Sequence, residues 1–222
     1  MKILITAVAI SMFSVASAAT YTVNNNSSGF ESNGVTDNAG NLISDTGGSA
    51  AFGFFSSDAA VTSAVSAADL LDGDWRQFGS SETKFITPSA PLNFEGLFES
   101  QGAEVTNLGD FAGKNVYLVL GNNSGLAASN EFIVYKFSDV YETDPLSEPI
   151  NVELTFDVDT ISLPNLLVGS IGVEQTVSPF DSTAQPTFRM EMLTPIPEPS
   201  SAALLGLGGL ALLMRRRRES NL

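Results

Sequence analysis

The 222-residue chain contains neither cysteine nor histidine. Without thiols no disulfide can staple the fold, which must be held by its core alone. The two absences together exclude Ser-His-Asp and Cys-His nucleophile systems, thiolate and His-containing zinc sites, and the commonest general base. Any catalysis would fall to carboxylates, Lys, Tyr, Ser or Thr, and no cofactor or metal site is read from this residue set. Positive charge is scarce as well. Between residues 19 and 196 only Arg76, Lys84, Lys114, Lys136 and Arg189 are basic, against 23 acidic residues, a formal charge of −18. Such a surface repels phosphate backbones and anionic headgroups, because binding them requires Lys and Arg to displace counterions. Nucleic acid is thereby set aside as a partner; cations, neutral glycans and basic surfaces are not.

The ends of the chain differ from this acidic body. Met1-Lys2 is followed by the apolar run Ile3 to Val15 and then by Ala16-Ser17-Ala18-Ala19. That order of positive, hydrophobic and small-residue segments is a secretory signal, with Ala16 and Ala18 as the small residues before a cut after Ala18. A membrane-spanning helix in the same place would need about 20 apolar residues, more than are present.

Residues 19–193 are read as one exported domain, long enough for a substantial core. Val152, Leu154, Phe156 and Val158 alternate with Glu153, Thr155, Asp157 and Asp159, and Phe188, Met190 and Met192 alternate with Arg189 and Glu191. Period 2 of this kind marks half-buried strands. Val116 to Leu120 and Phe132 to Tyr135 are continuously apolar and predict a central antiparallel pair, joined by a connection too long for a tight hairpin. Thr20 to Val23, Ala50 to Phe55, Phe85 to Thr87 and Leu166 to Ile171 are further strand candidates. Between Ser57, an N-cap, and Gly73, a stop, the spacing of Val61, Ala64, Val65, Ala68 and Leu71 predicts one short amphipathic helix. The expected fold is mainly β, an antiparallel β-sandwich-like domain with that helix.

Residues 194–222 form a tail of different character. Thr194-Pro195-Ile196-Pro197-Glu198-Pro199 is a proline-rich linker, extended and accessible. Residues 200–214 are uncharged and apolar or small, and Arg215-Arg216-Arg217-Arg218 follows at once. As a helix the uncharged stretch covers about 22 Å, short of the ~30 Å hydrocarbon core, yet it can lodge there if the arginines snorkel. The positive-inside bias puts Arg215 to Arg218 in the cytoplasm as a membrane stop and the body outside it.

Pro197-Glu198-Pro199, a short apolar helix and a terminal arginine cluster, in that order, resemble the PEP-CTERM sorting signal. The resemblance implies an exported protein of a Gram-negative, exopolysaccharide-producing bacterium. Its partner would be exosortase, an integral-membrane cysteine protease, and the tail would be a transient inner-membrane anchor. It implies localisation to the cell envelope, cell surface or extracellular matrix after processing, and association with extracellular polysaccharide. An ordinary uncleaved anchor is the competing account of the same residues.

Within the body, Asp69, Asp72 and Asp74 suggest a Ca²⁺ loop, but Arg76 and Gln77 fall where an EF-hand needs a ligand and a glycine, and a helix stop explains them better. Asp157 and Asp159, about 7 Å apart on one strand face, suit paired glycosidase carboxylates or a solvated sheet face. Trp75, Phe78 and Phe85 could form a sugar platform or part of the core. Asn25, Asn26 and Asn122 match a glycosylation pattern and are read as turn residues. The expectation is a non-enzymatic surface or matrix protein; the alternative is a carbohydrate-binding module or a carboxylate-dependent carbohydrate-active enzyme.

Overall fold

The computed structural model describes residues 19–25, 33–44, 47–85, 95–104, 108–144, 146, 149–177 and 183–193. The expected signal segment, the tail with its expected helix, and Ile86-Thr87 lie outside them. The strands are β1 (Ala19–Asn24), β2 (Val35–Thr36), β3 (Ser49–Phe55), β4 (Trp75–Gln77), β5 (Thr83–Lys84), β6 (Glu99–Glu104) and β7 (Asn115–Gly121). They continue with β8 (Glu131–Val140), β9 (Ile150–Thr155), β10 (Leu166–Val168), β11 (Ser170–Ile171), β12 (Phe188–Arg189) and β13 (Glu191–Met192).

A seven-stranded sheet runs β10-β8-β7-β3-β4, with β13 added to β8 and β5 to β3. The expected central pair is there: β7 and β8 are antiparallel, Gly121 facing Phe132, and residues 122–130 connect them. A second sheet has the order β6-β1-β9 and a third the order β11-β12-β2. Most pairings are antiparallel. The expected antiparallel character holds for these, while two pairings are parallel, β1 with β9 and β12 with β2.

Strand β3 is buried at every position, because both faces of the large sheet are covered. On one face, Phe52 stacks on Phe78 with centroids 5.6 Å apart, and Phe78 meets Tyr21 of the second sheet at 5.3 Å. These rings fill the space between two sheets, the two-layer packing of a sandwich. With no covalent cross-link, they carry the fold; each fully buried Phe contributes roughly 1.5–3 kcal/mol. Gly53 on β3 is required by close approach: a Cβ there would sit 2.0 Å from the Arg76 carbonyl oxygen on β4.

The opposite face carries the helical segment. Ser57 caps it as expected, its Oγ accepting from the Ala60 N–H at 3.2 Å. The single predicted helix is in fact two, α1 (Asp58–Ser63) and α2 (Ala67–Leu70). Ser66 interrupts it by acting as a second N-cap, accepting from the Asp69 N–H at 3.2 Å. The break leaves Val61, Ala64 and Leu70 buried and turns Val65 out, 42 % exposed. Leu166 to Ile171 is likewise divided, at Gly169, whose φ of 101° belongs to the left-handed region that interrupts a strand.

Candidate functional site

The carboxylates and rings singled out in the sequence are placed by the fold one by one. Strand β9 ends at Thr155, so Asp157 and Asp159 do not share a strand face. Asp157 instead caps a turn: its Oδ1 accepts from the Asp159 N–H at 2.8 Å and its carbonyl accepts from the amides of Thr160 and Ile161. A short acidic side chain that captures nearby amides competes with strand continuation. Asp72 Oδ1 does the same for the Asp74 N–H, while Asp69 Oδ2 accepts from the Ser66 hydroxyl, both at 2.8 Å. Among the described residues no group of three or more acidic side chains is placed to hold a metal ion.

The aromatic platform is overturned. Trp75, Phe78 and Phe85 are 7 %, 0 % and 2 % exposed, and Phe78 lies at the centre of a ring cluster with Tyr21, Phe52, Phe111 and Tyr141. Asn25 does more than bend the chain after β1. It is a buried clamp, its Nδ2 donating to the carbonyls of Asn33 and Gly96 and its Oδ1 accepting from the Phe98 N–H. Asn122 does serve its turn, Oδ1 accepting from the amides of Asn130 and Glu131. Asn26 lies outside the described residues.

The structure also brings together a group that the sequence did not indicate. Asp58, the first residue of α1, accepts a hydrogen bond from the Tyr117 hydroxyl on β7, and both its oxygens accept from Lys136 Nζ on β8, at 3.1 and 3.0 Å. The register places Tyr117 opposite Lys136, on the face that α1 covers. Lys136 Nζ also lies 5.7 Å from the centroid of the Tyr117 ring. The Tyr117 hydrogen bond and the Lys136 charge hold the Asp58 carboxyl below the usual carboxylate range, against partial burial. Burial, and then Asp58, push the Tyr117 phenol up. These groups line a depression of about 240 Å³ together with Ser56, Lys114 and Asn115. A carboxylate already neutralised by an ammonium and a phenol is a structural tie, fastening α1 to the sheet. A charged residue inside the apolar run Phe132 to Phe137 was its one sequence signal, since buried strands carry such residues only when paired.

The sorting residues Pro197, Glu198 and Pro199, the arginines 215–218, and Ala16 and Ala18 all lie outside the described residues. The last described residue is Leu193, one step past β13, so the tail leaves the body from the Met192 end of that strand. No curated protein and no solved structure matches the chain. The family model of the PEP-CTERM protein-sorting motif does match, over residues 195–218, a span that includes Pro197-Glu198-Pro199 and all four arginines. The chain thus carries a PEP-CTERM protein-sorting motif at its C-terminal end, which marks it as an exported protein targeted to exosortase.

Proposed function

We propose that the body is a non-enzymatic structural component of the cell surface or extracellular matrix, delivered by the sorting motif and retained with extracellular polysaccharide. The tail acts as a transient inner-membrane anchor: the signal peptide starts export, Arg215 to Arg218 stop it, and exosortase cuts near Pro197-Glu198-Pro199. The motif at residues 195–218 carries this proposal. Further support comes from the fates of the two features that favoured a sugar-binding or sugar-cleaving site. Trp75, Phe78 and Phe85 are consumed by the core, and Asp157 and Asp159 by a turn.

The high acidity of the body favours neutral or cationic glycans, or acidic glycans bridged by divalent cations, over direct contact with an acidic polymer. The test is fractionation of the producing cells. The processed protein should be found with the matrix polysaccharide and should pass into the medium when polysaccharide synthesis is disabled. Turnover of any polysaccharide by the purified chain, or a matrix-independent surface form that still ends at Leu222, would overturn the proposal.

A further inference from the structure

We propose that the groove from which the tail departs docks on the lipid surface while the tail is inserted, so that the sorting intermediate is held in one orientation. This inference rests on the transient-anchor proposal above and adds a contact surface to it.

Val65, Ala67, Phe132, Met192 and Leu193 line a groove of about 320 Å³, and the rest of its lining is uncharged. Two of these residues are large, apolar and turned outward, Val65 at 42 % and Met192 at 53 % exposure. Their exposure has separate causes. Val65 falls in the break between α1 and α2, while Met192 ends an alternation whose inner members, Phe188 and Met190, are fully buried. Scattered exposed apolar residues need no explanation, but a shared groove in a strongly acidic protein marks a contact surface.

The length of chain beyond Leu193 names the occupant. Thr194 to Pro199 is six residues, and the uncharged stretch begins at Ser200. Six residues reach at most about 20 Å, whereas a domain of this size is about 40 Å across. Once Ser200 to Met214 is in the bilayer, only the hemisphere around Leu193 can touch the headgroups, and the groove lies at its centre. The acidic remainder of the body is repelled by anionic lipid, so this uncharged patch is the part that can approach. The short tether supplies a high local concentration, so a patch too weak to bind lipid from solution can still dock. Docking would keep Pro197-Glu198-Pro199 at headgroup level, within reach of a membrane-embedded protease.

The absence of cysteine makes single labelling sites unambiguous. The full chain carrying Val65→Cys, Met192→Cys, Val140→Cys or Leu204→Cys is labelled with an environment-sensitive fluorophore. Each is reconstituted into phosphatidylethanolamine vesicles with a minor share of phosphatidylglycerol and a spin-labelled lipid as quencher. Val140 is the internal control, being 51 % exposed but at the far end of β8 from Phe132, about 26 Å along the strand. The expected result is strong quenching at 204, clear quenching with a blue shift at 65 and 192, and none at 140. Quenching at 204 with none at 65 and 192, or with equal quenching at 140, overturns the docking surface and leaves the anchor standing. Absence of quenching at 204 overturns the anchor and the docking surface with it.

Discussion

Tyr21 and Tyr141 meet edge to face with ring centroids 4.9 Å apart, both buried, yet only one of their hydroxyls has a hydrogen-bond partner among the described residues. The Tyr21 oxygen accepts from the Glu142 N–H at 3.0 Å, whereas the Tyr141 hydroxyl has no hydrogen-bond partner among the described residues. Burial raises both phenols above their ordinary value. The pair links β1 of the second sheet to the segment that follows β8, so its two members can be compared in one packing environment.

The asymmetry gives opposite expectations for two chemically identical changes. Tyr21→Phe leaves the Glu142 amide without its acceptor and should cost about 1 kcal/mol. Tyr141→Phe removes a hydroxyl that was dehydrated without compensation and should be neutral or stabilising by up to about 1 kcal/mol. Urea unfolding of both variants checks this. Equal destabilisation would mean that the Tyr141 hydroxyl does find a partner, such as a bound water.

The tie at Asp58 predicts a pH dependence with a definite sign. Its carboxyl titrates lower in the folded chain than in the unfolded one, so its contribution is present above about pH 4 and is lost as pH falls through the folded value. Tyr117 shifts the other way. Its contribution is present below about pH 10 and is lost as pH rises through its own folded value. Asp58 is 47 % exposed and Lys136 26 %, so solvent screening limits the pair. Asp58→Asn should cost on the order of 1 kcal/mol at pH 7. Chemical denaturation across pH should show the gap between variant and parent closing below about pH 4.

How far the sequence carried the fold follows from where each preference was decided. Val116 to Leu120 and Phe132 to Tyr135 could be paired in advance because a strand covered on both faces needs unbroken apolar residues, and few segments have them. The parallel partnership of β1 and β9 was not legible. It joins residues far apart in the chain, and period 2 says which face is buried but not which neighbour lies alongside. The helix was foreseen but not its division, since a serine in mid-pattern reads as the polar face until it is seen to cap a second turn. The Asp58–Lys136 tie spans 78 positions and could not be matched from sequence. The sorting motif was fully legible because its parts are contiguous and its meaning lies in their order rather than in a folded arrangement.

Divalent cations should stabilise the protein in a graded way. The body carries a formal charge of −18, and self-repulsion of that size destabilises a compact state. Relief by diffuse counterions predicts a small rise in Tm that grows steadily with added Ca²⁺ and is reproduced by Mg²⁺. Thermal melts in the two salts at matched ionic strength are the check. A response to Ca²⁺ alone that saturates at roughly micromolar concentration would instead reveal a dedicated site.

The sorting tail yields the sharpest separation of variants, because the proposed route assigns its two ends to different steps. In the proposed route Arg215 to Arg218 would hold the chain in the membrane, since carrying four guanidinium groups through hydrocarbon is costly. In the same route Pro197-Glu198-Pro199 would act only after that arrest, as the segment a membrane protease recognises. Replacing Pro197, Glu198 and Pro199 with Ala should therefore leave a cell-bound species that keeps its tail and remains in the inner-membrane fraction. Replacing the four arginines with Ser should remove the stop, so that the tail follows the body across and the protein leaves the membrane uncut. Intact mass spectrometry of membrane, surface and medium fractions distinguishes the two defects by both mass and location. The parent should appear at the surface with a C-terminus near Pro199. If both variants instead give the parent's processed mass at the surface, neither element directs the cut, and processing depends on some other part of the chain.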